Sequence, residues 1–535
     1  MTRPGVFSDN IHRQIYFWSL VLLAVAMPLS EFAMSVAQLS LSANFLLEGK
    51  FRQKFRILKS SKAILLFLSV LAVHLIWLWN TSDFEYAFHD IKIKLPLLAL
   101  PVIFGTSGPL TGKQVKILLL FFTAAVFAGS MVCTSILTGI YPHEYNNIRE
   151  VSIFISHIRF SLMIVLAVFI LIFLLTNRSQ KTGTAEKVIY ITGGLWLLIF
   201  LYLLQALSGI FVFIIAGGIL LVFRIFRIKS LIPKLFLLAI IIAGTLLTVS
   251  FITRSIGKFY AVEEIDPAQL PPNTPDGNPY WHNTEDKQLE NGNYVWLYVC
   301  ESEMRESWNK TSEFPYDGKD KIGQEIKYTL IRYLTSKGLH KDAEGVTALG
   351  AEDILNIENG IANFRYTNSY DVGVIIYKII WELDIYKKTG QVNNHSITQR
   401  IEFLNAAFRI IGKNLWTGVG TGDVKNAFAD EYKLMNTKLD EHNQRRAHNQ
   451  YVTFFVSFGV FGAIYCIFAI FTPYFLDRKK QNLLFSAFFI IIMLSMLNED
   501  TLETQPGITF FMYFYCFFLF AWEDSGKSEG IIRSK

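Results

Sequence analysis

Long, almost uncharged apolar runs recur from one end of this chain to the other, and that repetition constrains its fold more than any motif. They lie near residues 14–30, 31–48, 63–79, 93–107, 114–138, 157–176, 188–205, 207–223, 235–253, 448–473, 482–497 and 506–522. A run of about 20 apolar residues matches the hydrocarbon thickness of a bilayer when helical. Inside that hydrocarbon the backbone must satisfy its own hydrogen bonds, which a helix does and an open sheet does not. The expectation is an all-α polytopic membrane protein of about 12 transmembrane helices. The first two runs, and the pair meeting at Gln205, have connections short enough for helical hairpins, and 93–107 is short for a full crossing.

Composition agrees with this class. Of 535 residues, 52% are hydrophobic and 18% charged, against roughly a quarter charged in soluble domains. Aromatics make up 15%, with 46 Phe, which suits lipid-facing helices and interfacial belts. Three of the four cysteines, Cys133, Cys466 and Cys516, sit in apolar runs; Cys300 is alone in the long polar segment, so no disulfide framework is available there. No Cys/His spacing resembles a zinc site. The first run leads directly into the second without a small-residue cleavage pattern, so no cleavable signal peptide is expected.

Loop charge sets the orientation. With the N-terminus cytoplasmic, the inside connections, including 51–62, 177–187, 224–234, 477–481 and the C-terminal tail, hold 22 Lys/Arg. The short outside loops hold three: Lys92, Lys94 and Arg149. This is the positive-inside pattern. Both termini are then cytoplasmic, and the segment 254–447 is a periplasmic domain between spans 9 and 10. It carries 28 Asp/Glu and 23 Lys/Arg, a net of −5, whereas the remainder has a net of +11. The basic balance thus belongs to membrane anchoring and gives no reason to expect nucleic-acid binding. The division is 1–253 as an N-terminal bundle of about nine spans, 254–447 outside, 448–522 as about three further spans, and 523–535 as a cytoplasmic tail.

The outer segment opens with DPAQLPPNTPDGNPYW (266–281), an irregular Pro/Asn/Gly-rich stretch. Helical periodicity follows at 323–337, 351–365, 372–388 and 398–411. Little strand pattern is present, and a mostly helical cap is expected.

Four stretches carry candidate chemistry. In RAHNQYVTFFVSFGVFGAIYCIFAI (446–470), His448 and Asn449 stand at the mouth of a long apolar helix, preceded by Arg446. A neutral imidazole there can take a proton from an alcohol near neutral pH; the simpler reading is an interfacial histidine anchoring a helix end. Gly459 and Gly462 fit close helix packing. In GKNLWTGVGTGD (412–423), Gly418, Gly420 and Gly422 alternate before a helical pattern. Such a turn either offers N–H groups to phosphate oxygens or is an ordinary flexible turn. Outward arginines are Arg159, beside His157 in SHIRFSL (156–162), Arg254 and Arg400. An arginine within an apolar span is functional by default, and guanidinium binds diphosphate bidentately as lysine does not. Finally, NEDTLETQPG (498–507) places Glu499, Asp500 and Glu503 in one short connection, either to orient His448 and bind a sugar hydroxyl or as a solvated loop. No D-x-D, H-E-x-x-H or G-x-S-x-G pattern occurs.

Together these residues resemble the C-terminal region shared by O-antigen ligases and O-antigen polymerases. That region has an Arg-containing helix, a G-x-G turn, and a span opening with His-Asn, nine residues, Gly, two residues, Gly. Here the match is Arg400, GVGTG (418–422), His448-Asn449, Gly459 and Gly462, roughly residues 396–463. Phrases such as NGNYVWLYVCE and DILNIENGIANFRY look like those of ligase-related proteins from Bacteroides-like bacteria, a divergent branch. Many family members carry an outward Ser-Arg-Gly near the seventh or eighth span; here the stretch reads ALSGIF (206–211) without the arginine, leaving Arg159 or Arg254 to supply that charge.

The resemblance implies a metal-independent, inverting glycosyltransferase without a cofactor, in a bacterial inner membrane. Its donor would be a glycan on undecaprenyl diphosphate. The acceptor would be lipid A–core in a ligase, or a second lipid-linked glycan in a polymerase. It implies His448 as the base, with Arg159, Arg254, Arg400, Asn449, Gly418, Gly420 and Gly422 on the substrate, supported by His157, Arg446, Glu499, Asp500 and Glu503. A polytopic transporter is the other class with this many spans, but no internal repeat or paired mid-span charge favours it.

Overall fold

The computed structural model describes residues 6–145, 148–177, 182–262, 266–368, 370–393, 395–476 and 482–522. The tail 523–535, the 477–481 connection and residues 178–181 of the 177–187 connection lie outside them. The regular structure of the described residues is helical apart from one two-residue antiparallel strand pair, Leu289–Glu290 with Asn293–Tyr294.

The helices in chain order are α1 (Asp9–Leu29), α2 (Glu31–Glu48), α3 (Phe51–Ser60), α4 (Lys62–Ile76), α5 (Phe84–Ile93), α6 (Pro96–Thr106), α7 (Gly112–Leu137), α8 (His157–Thr176), α9 (Thr184–Leu203), α10 (Leu207–Phe226) and α11 (Leu231–Tyr260). They continue as α12 (Glu301–Thr311), α13 (Ile326–Ser336), α14 (Ala343–Thr347), α15 (Ala351–Glu358), α16 (Val372–Thr389), α17 (Ser396–Lys413), α18 (Val424–Met435), α19 (Gln450–Leu476), α20 (Leu483–Ser495) and α21 (Gln505–Cys516). The chain divides into two compact units, residues 1–234 with 400–535, and residues 235–399.

Among the described residues, seven helices are long and apolar enough to cross a membrane: Lys62–Asn80, Gly112–Leu137, His157–Thr176, Thr184–Leu203, Leu207–Phe226, Leu231–Tyr260 and Gln450–Leu476. This is an all-α membrane protein. Five of the expected runs are helical but fall short of that standard. The 11-residue α6 and the 13-residue α20 reach about 15–20 Å at 1.5 Å per residue, against a hydrocarbon core of about 30 Å. The last run is Gln505–Ala521. In the first two, polar residues dilute an otherwise apolar helix, and they form a hairpin that breaks at Ser30, whose Oγ accepts from Ala33 N at 3.2 Å. His12 and Asn44 lock the hairpin's open end, with Nδ1 2.8 Å from Oδ1.

In the first unit, the apolar core is built from α1, α4, α7, α8, α19, α20 and α21. Helix α8 is the most enclosed span, and Phe488, Phe511, Phe514 and Tyr515 fill the centre. Two sets of connections are tied together separately. At one end Leu110 N donates to Ala521 O at 2.8 Å, Arg13 to Pro109 O at 3.2 Å, and Lys50 pairs with Asp9 at 2.7 Å. Another set joins residues 77–86, 414–423, 446–450 and 496–503, and it holds most of the candidate residues.

The second unit has its own core of Trp308, Tyr316, Ile326, Leu330, Tyr333 and Leu334. Fully buried Glu290 is met by Arg332 at 2.7 Å and Asn363 at 2.7 Å. The expected helices recur as α13, α15 and α16 in this unit, and as α17, most of which belongs to the first. Helix α15 stops at Glu358, short of the expected Arg365, because Gly360 adopts φ +78°, the left-handed turn that ends helices.

Candidate functional site

The start of α19 is fastened to the 496–503 connection by its own sequence. Asn449 caps the helix, its Oδ1 accepting from Val452 N at 3.1 Å, while its Nδ2 donates to Leu497 O at 2.9 Å. Gln450 N donates to Met496 O at 2.8 Å, and Gln450 Oε1 accepts from Leu502 N at 2.7 Å. Both ends of the Asn449 amide are therefore occupied by the fold, so its geometry is that of a helix cap.

His448, one residue earlier, has φ +48°. A non-glycine residue in this region costs about 1–2 kcal/mol and persists only where its surroundings hold it. Its Nδ1 faces Glu499 Oε1 at 3.9 Å, and its side chain is 33% exposed. Both facing atoms are buried and have no hydrogen-bond partner among the described residues, so less than about an ångström of movement would join them. Phe403 of α17 flanks the imidazole, ring centres 5.5 Å apart.

Glu499 is where the cations converge. Arg400 Nη2 lies 3.6 Å from Glu499 Oε1, and its other terminal nitrogen donates to Asn498 Oδ1. Asn498 Nδ2 in turn donates to Ser208 Oγ at 2.5 Å. Arg159 and Glu499 line one small cavity with Leu162, Met163, Thr501, Pro506, Gly507 and Phe510. A second cavity lies between Glu499, Asn498, Ser208, Phe211 and Leu494. Burial pushes the Glu499 carboxyl up, but His448, Arg400 and Arg159 outweigh it and hold the group below its ordinary value. Burial lowers Arg400, Glu499 raises it and Arg149 lowers it; starting above 12, the guanidinium stays charged near neutrality. Arg149, which the sequence shows only as loop charge, thus joins the electrostatics of the site. So do Asn498 and Ser208, and Ser208 lies in the ALSGIF stretch.

The remaining acids separate. Asp500 accepts from Thr453 Oγ1 at 2.7 Å; burial pushes it up, against His448 and Thr453. Glu503 belongs to a different cluster. Its Oε2 meets Arg446 Nη1 at 2.8 Å and Lys94 Nζ at 2.9 Å, and its Oε1 accepts from Gln450 Nε2 at 3.0 Å. Lys94 also holds Asp90 at 2.7 Å, and Arg446 reaches the Tyr86 hydroxyl. This cluster pairs two cations with two carboxylates, so Arg446 and Glu503 are engaged with each other.

The glycine turn is explained by packing. Gly418 and Gly420 have φ +65° and +95°. The N–H groups of 418, 419, 420 and 422 are taken by Asn414 O, Val456 O, Ser457 O and Thr81 Oγ1, at 2.9 to 3.2 Å. The phosphate-cradle reading of Gly418, Gly420 and Gly422 therefore gives way to a clamp: the donors that would hold an anion hold α19 and the 80–83 turn. A Cβ on Gly418 would come within 2.5 Å of the Phe458 and Gly459 backbone, and one on Gly420 within 2.1 Å of Asn80 O. Gly459 supplies the other half, breaking α19 at φ +62° where a Cβ would lie 2.4 Å from Trp416 O. Gly459→Ala is accordingly expected to destabilise the first unit by more than the roughly 1 kcal/mol of left-handed strain alone. The measurement is the thermal midpoint of the purified protein, and an unchanged midpoint would contradict the clamp.

Arg254 lies on α11 in the second unit, exposed, with no hydrogen bond or ion pair among the described residues. His157 opens α8, two residues before Arg159.

The architecture so far is that of an all-α membrane protein with a histidine, a carboxylate and arginines gathered where several apolar helices begin. Residues 359–467, which include Arg400, the glycine clamp and His448, match the family described as O-antigen ligase (Wzy_C). Residues 359–467 thus carry an O-antigen ligase-related region within a helical membrane protein. No curated protein matches it.

Proposed function

We propose that this protein transfers a glycan from undecaprenyl diphosphate to an acceptor hydroxyl at the periplasmic face of a bacterial inner membrane. The observation that carries the reading is the meeting of Arg400 and His448, both within the family match, with Glu499 and Arg159 from outside it. In this reading the acceptor oxygen attacks the anomeric carbon while the bond from that carbon to the diphosphate oxygen breaks. His448 takes the hydroxyl proton, Glu499 steadies the imidazolium, and undecaprenyl diphosphate leaves with the bonding electrons. Arg159 and Arg400, with Arg149 nearby, match the charge that develops on the diphosphate, a stabilisation that is strongest in a site shielded from water. Attack from the side opposite the leaving group inverts the anomeric centre, and these cations do the electrostatic work without a metal or cofactor.

The topology that goes with this reading has α1, α2, α6, α20 and Gln505–Ala521 completing twelve crossings. The termini are then cytoplasmic and 254–447 periplasmic, in keeping with the loop charges. Lipid A–core is the proposed acceptor. A polymerase using a second lipid-linked glycan is the other reading, with the same donor chemistry.

Deleting the gene distinguishes them: unattached lipid-linked polymer accumulates for a ligase, single lipid-linked repeats for a polymerase, and an unchanged profile would refute both. Arg159→Lys, which keeps charge but loses the bidentate fork, is expected to lower transfer about tenfold or more, with full-length protein retained in the membrane. Wild-type transfer in that variant would remove Arg159 from the diphosphate site.

A further inference from the structure

Helix α3 carries a feature that glycan transfer does not use. It is a ten-residue basic segment, FRQKFRILKS, set off from α2 by consecutive left-handed residues, Gly49 (φ +68°) and Lys50 (φ +53°), and from α4 by the extended Ser61. It packs against α6 and α4, and the apolar span Lys62–Asn80 begins two residues after it ends.

The cations of this region divide into two groups. Lys50 pairs with Asp9 at 2.7 Å, and Lys54, buried, pairs with Glu48 at 2.9 Å and lies over the Phe45 ring at 3.9 Å. Arg52, Arg56, Lys59 and Lys62 are exposed and make no ion pair or hydrogen bond among the described residues. Phe51 and Phe55 are 54% and 67% exposed.

The spacing sorts these side chains. Phe51, Phe55 and Leu58 recur at i, i+4 and i+7, forming one stripe of a helix. Arg52, Arg56 and Lys59 repeat the same spacing one residue on, about 100° around. Lys54 marks the side held by the protein. An apolar stripe flanked by unpaired cations, at the end of a spanning helix, fits a helix lying in the bilayer surface with rings in the acyl boundary and cations among headgroups.

From this charge complementarity we infer that α3 is a binding site for anionic phospholipid headgroups, engaged through Arg52, Arg56, Lys59 and Lys62. A zwitterionic headgroup layer has no net charge to balance four unpaired cations, whereas an anionic leaflet attracts each of them. The inference rests on the membrane architecture and not on the proposed glycan transfer.

The test uses the full chain carrying Phe55→Trp, reconstituted in bilayers with brominated phosphatidylglycerol or, at the same mole fraction, brominated phosphatidylcholine. Quenching is read relative to the parent protein. The expected result is several-fold stronger quenching by the brominated phosphatidylglycerol at low salt, weakened by added salt. Adding Arg52→Gln, Arg56→Gln and Lys59→Gln should abolish the preference while both lipids still quench. Equal quenching in the starting protein, a preference that survives the triple substitution, or no quenching by either lipid would each overturn the inference.

Discussion

Replacing His448 with alanine is expected to reduce glycan transfer by about 10²–10⁴-fold, the usual contribution of a positioned general base. The residue's left-handed backbone makes the choice of substitution matter. Asparagine tolerates φ near +50° better than most residues but cannot serve as a base near neutral pH. His448→Asn should therefore lose transfer as His448→Ala does, with an unfolding midpoint close to wild type. Glu499→Gln should cost less, because it leaves the imidazole in place and removes only the carboxylate 3.9 Å away. The assay is surface glycan in cells, with protein level and lipid-linked donor followed alongside. Normal surface glycan in His448→Asn would show that the imidazole is an anchor for α19 and nothing more.

The helices were legible because hydrophobic runs and glycine breaks are local properties. The amphipathic periodicity around 323–337 and 372–388 became α13 and α16 nearly unchanged. The candidate site was legible in part. His448, Arg400, Arg159 and Glu499 meet because each sits at or beside the end of a helix and those ends lie together. Two assignments needed the third dimension. The donors of the 418–422 turn look free in sequence, yet they are spent on Val456, Ser457 and Thr81. Glu499 and Glu503 are four residues apart and equivalent on paper, yet the first faces His448 and the second faces Arg446 and Lys94. Lys94 is visible only as loop charge, because nothing in a linear sequence says which loop cation will be buried beside a carboxylate.

That second cluster yields the largest expected effect on stability. Glu503 is buried between Lys94 and Arg446, and Glu503→Ala would leave two cations in the interior with Asp90 alone to balance them. Removing one partner from a buried ion pair typically costs about 3–5 kcal/mol, mainly because the other charge stays desolvated. Removing both members of one pair should restore much of that loss: Glu503→Leu with Arg446→Met leaves Lys94 and Asp90 in contact at 2.7 Å. The pH dependence carries a definite sign. Burial pushes Glu503 up, but Lys94 and Arg446 more than reverse it and hold the carboxyl well below its ordinary value. A depressed folded-state value means the contribution is complete above the unfolded value, about 4.3, and disappears as pH falls through the folded one. The gap in unfolding midpoint between wild type and Glu503→Gln should therefore be full near neutrality and narrow only in strong acid. Asp90, pushed up by burial, contributes with the opposite sign but is common to both proteins, so it largely cancels in the comparison. A gap already lost near neutral pH, or a double variant no more stable than Glu503→Ala, would mean that the cluster is held by packing and not by its charges.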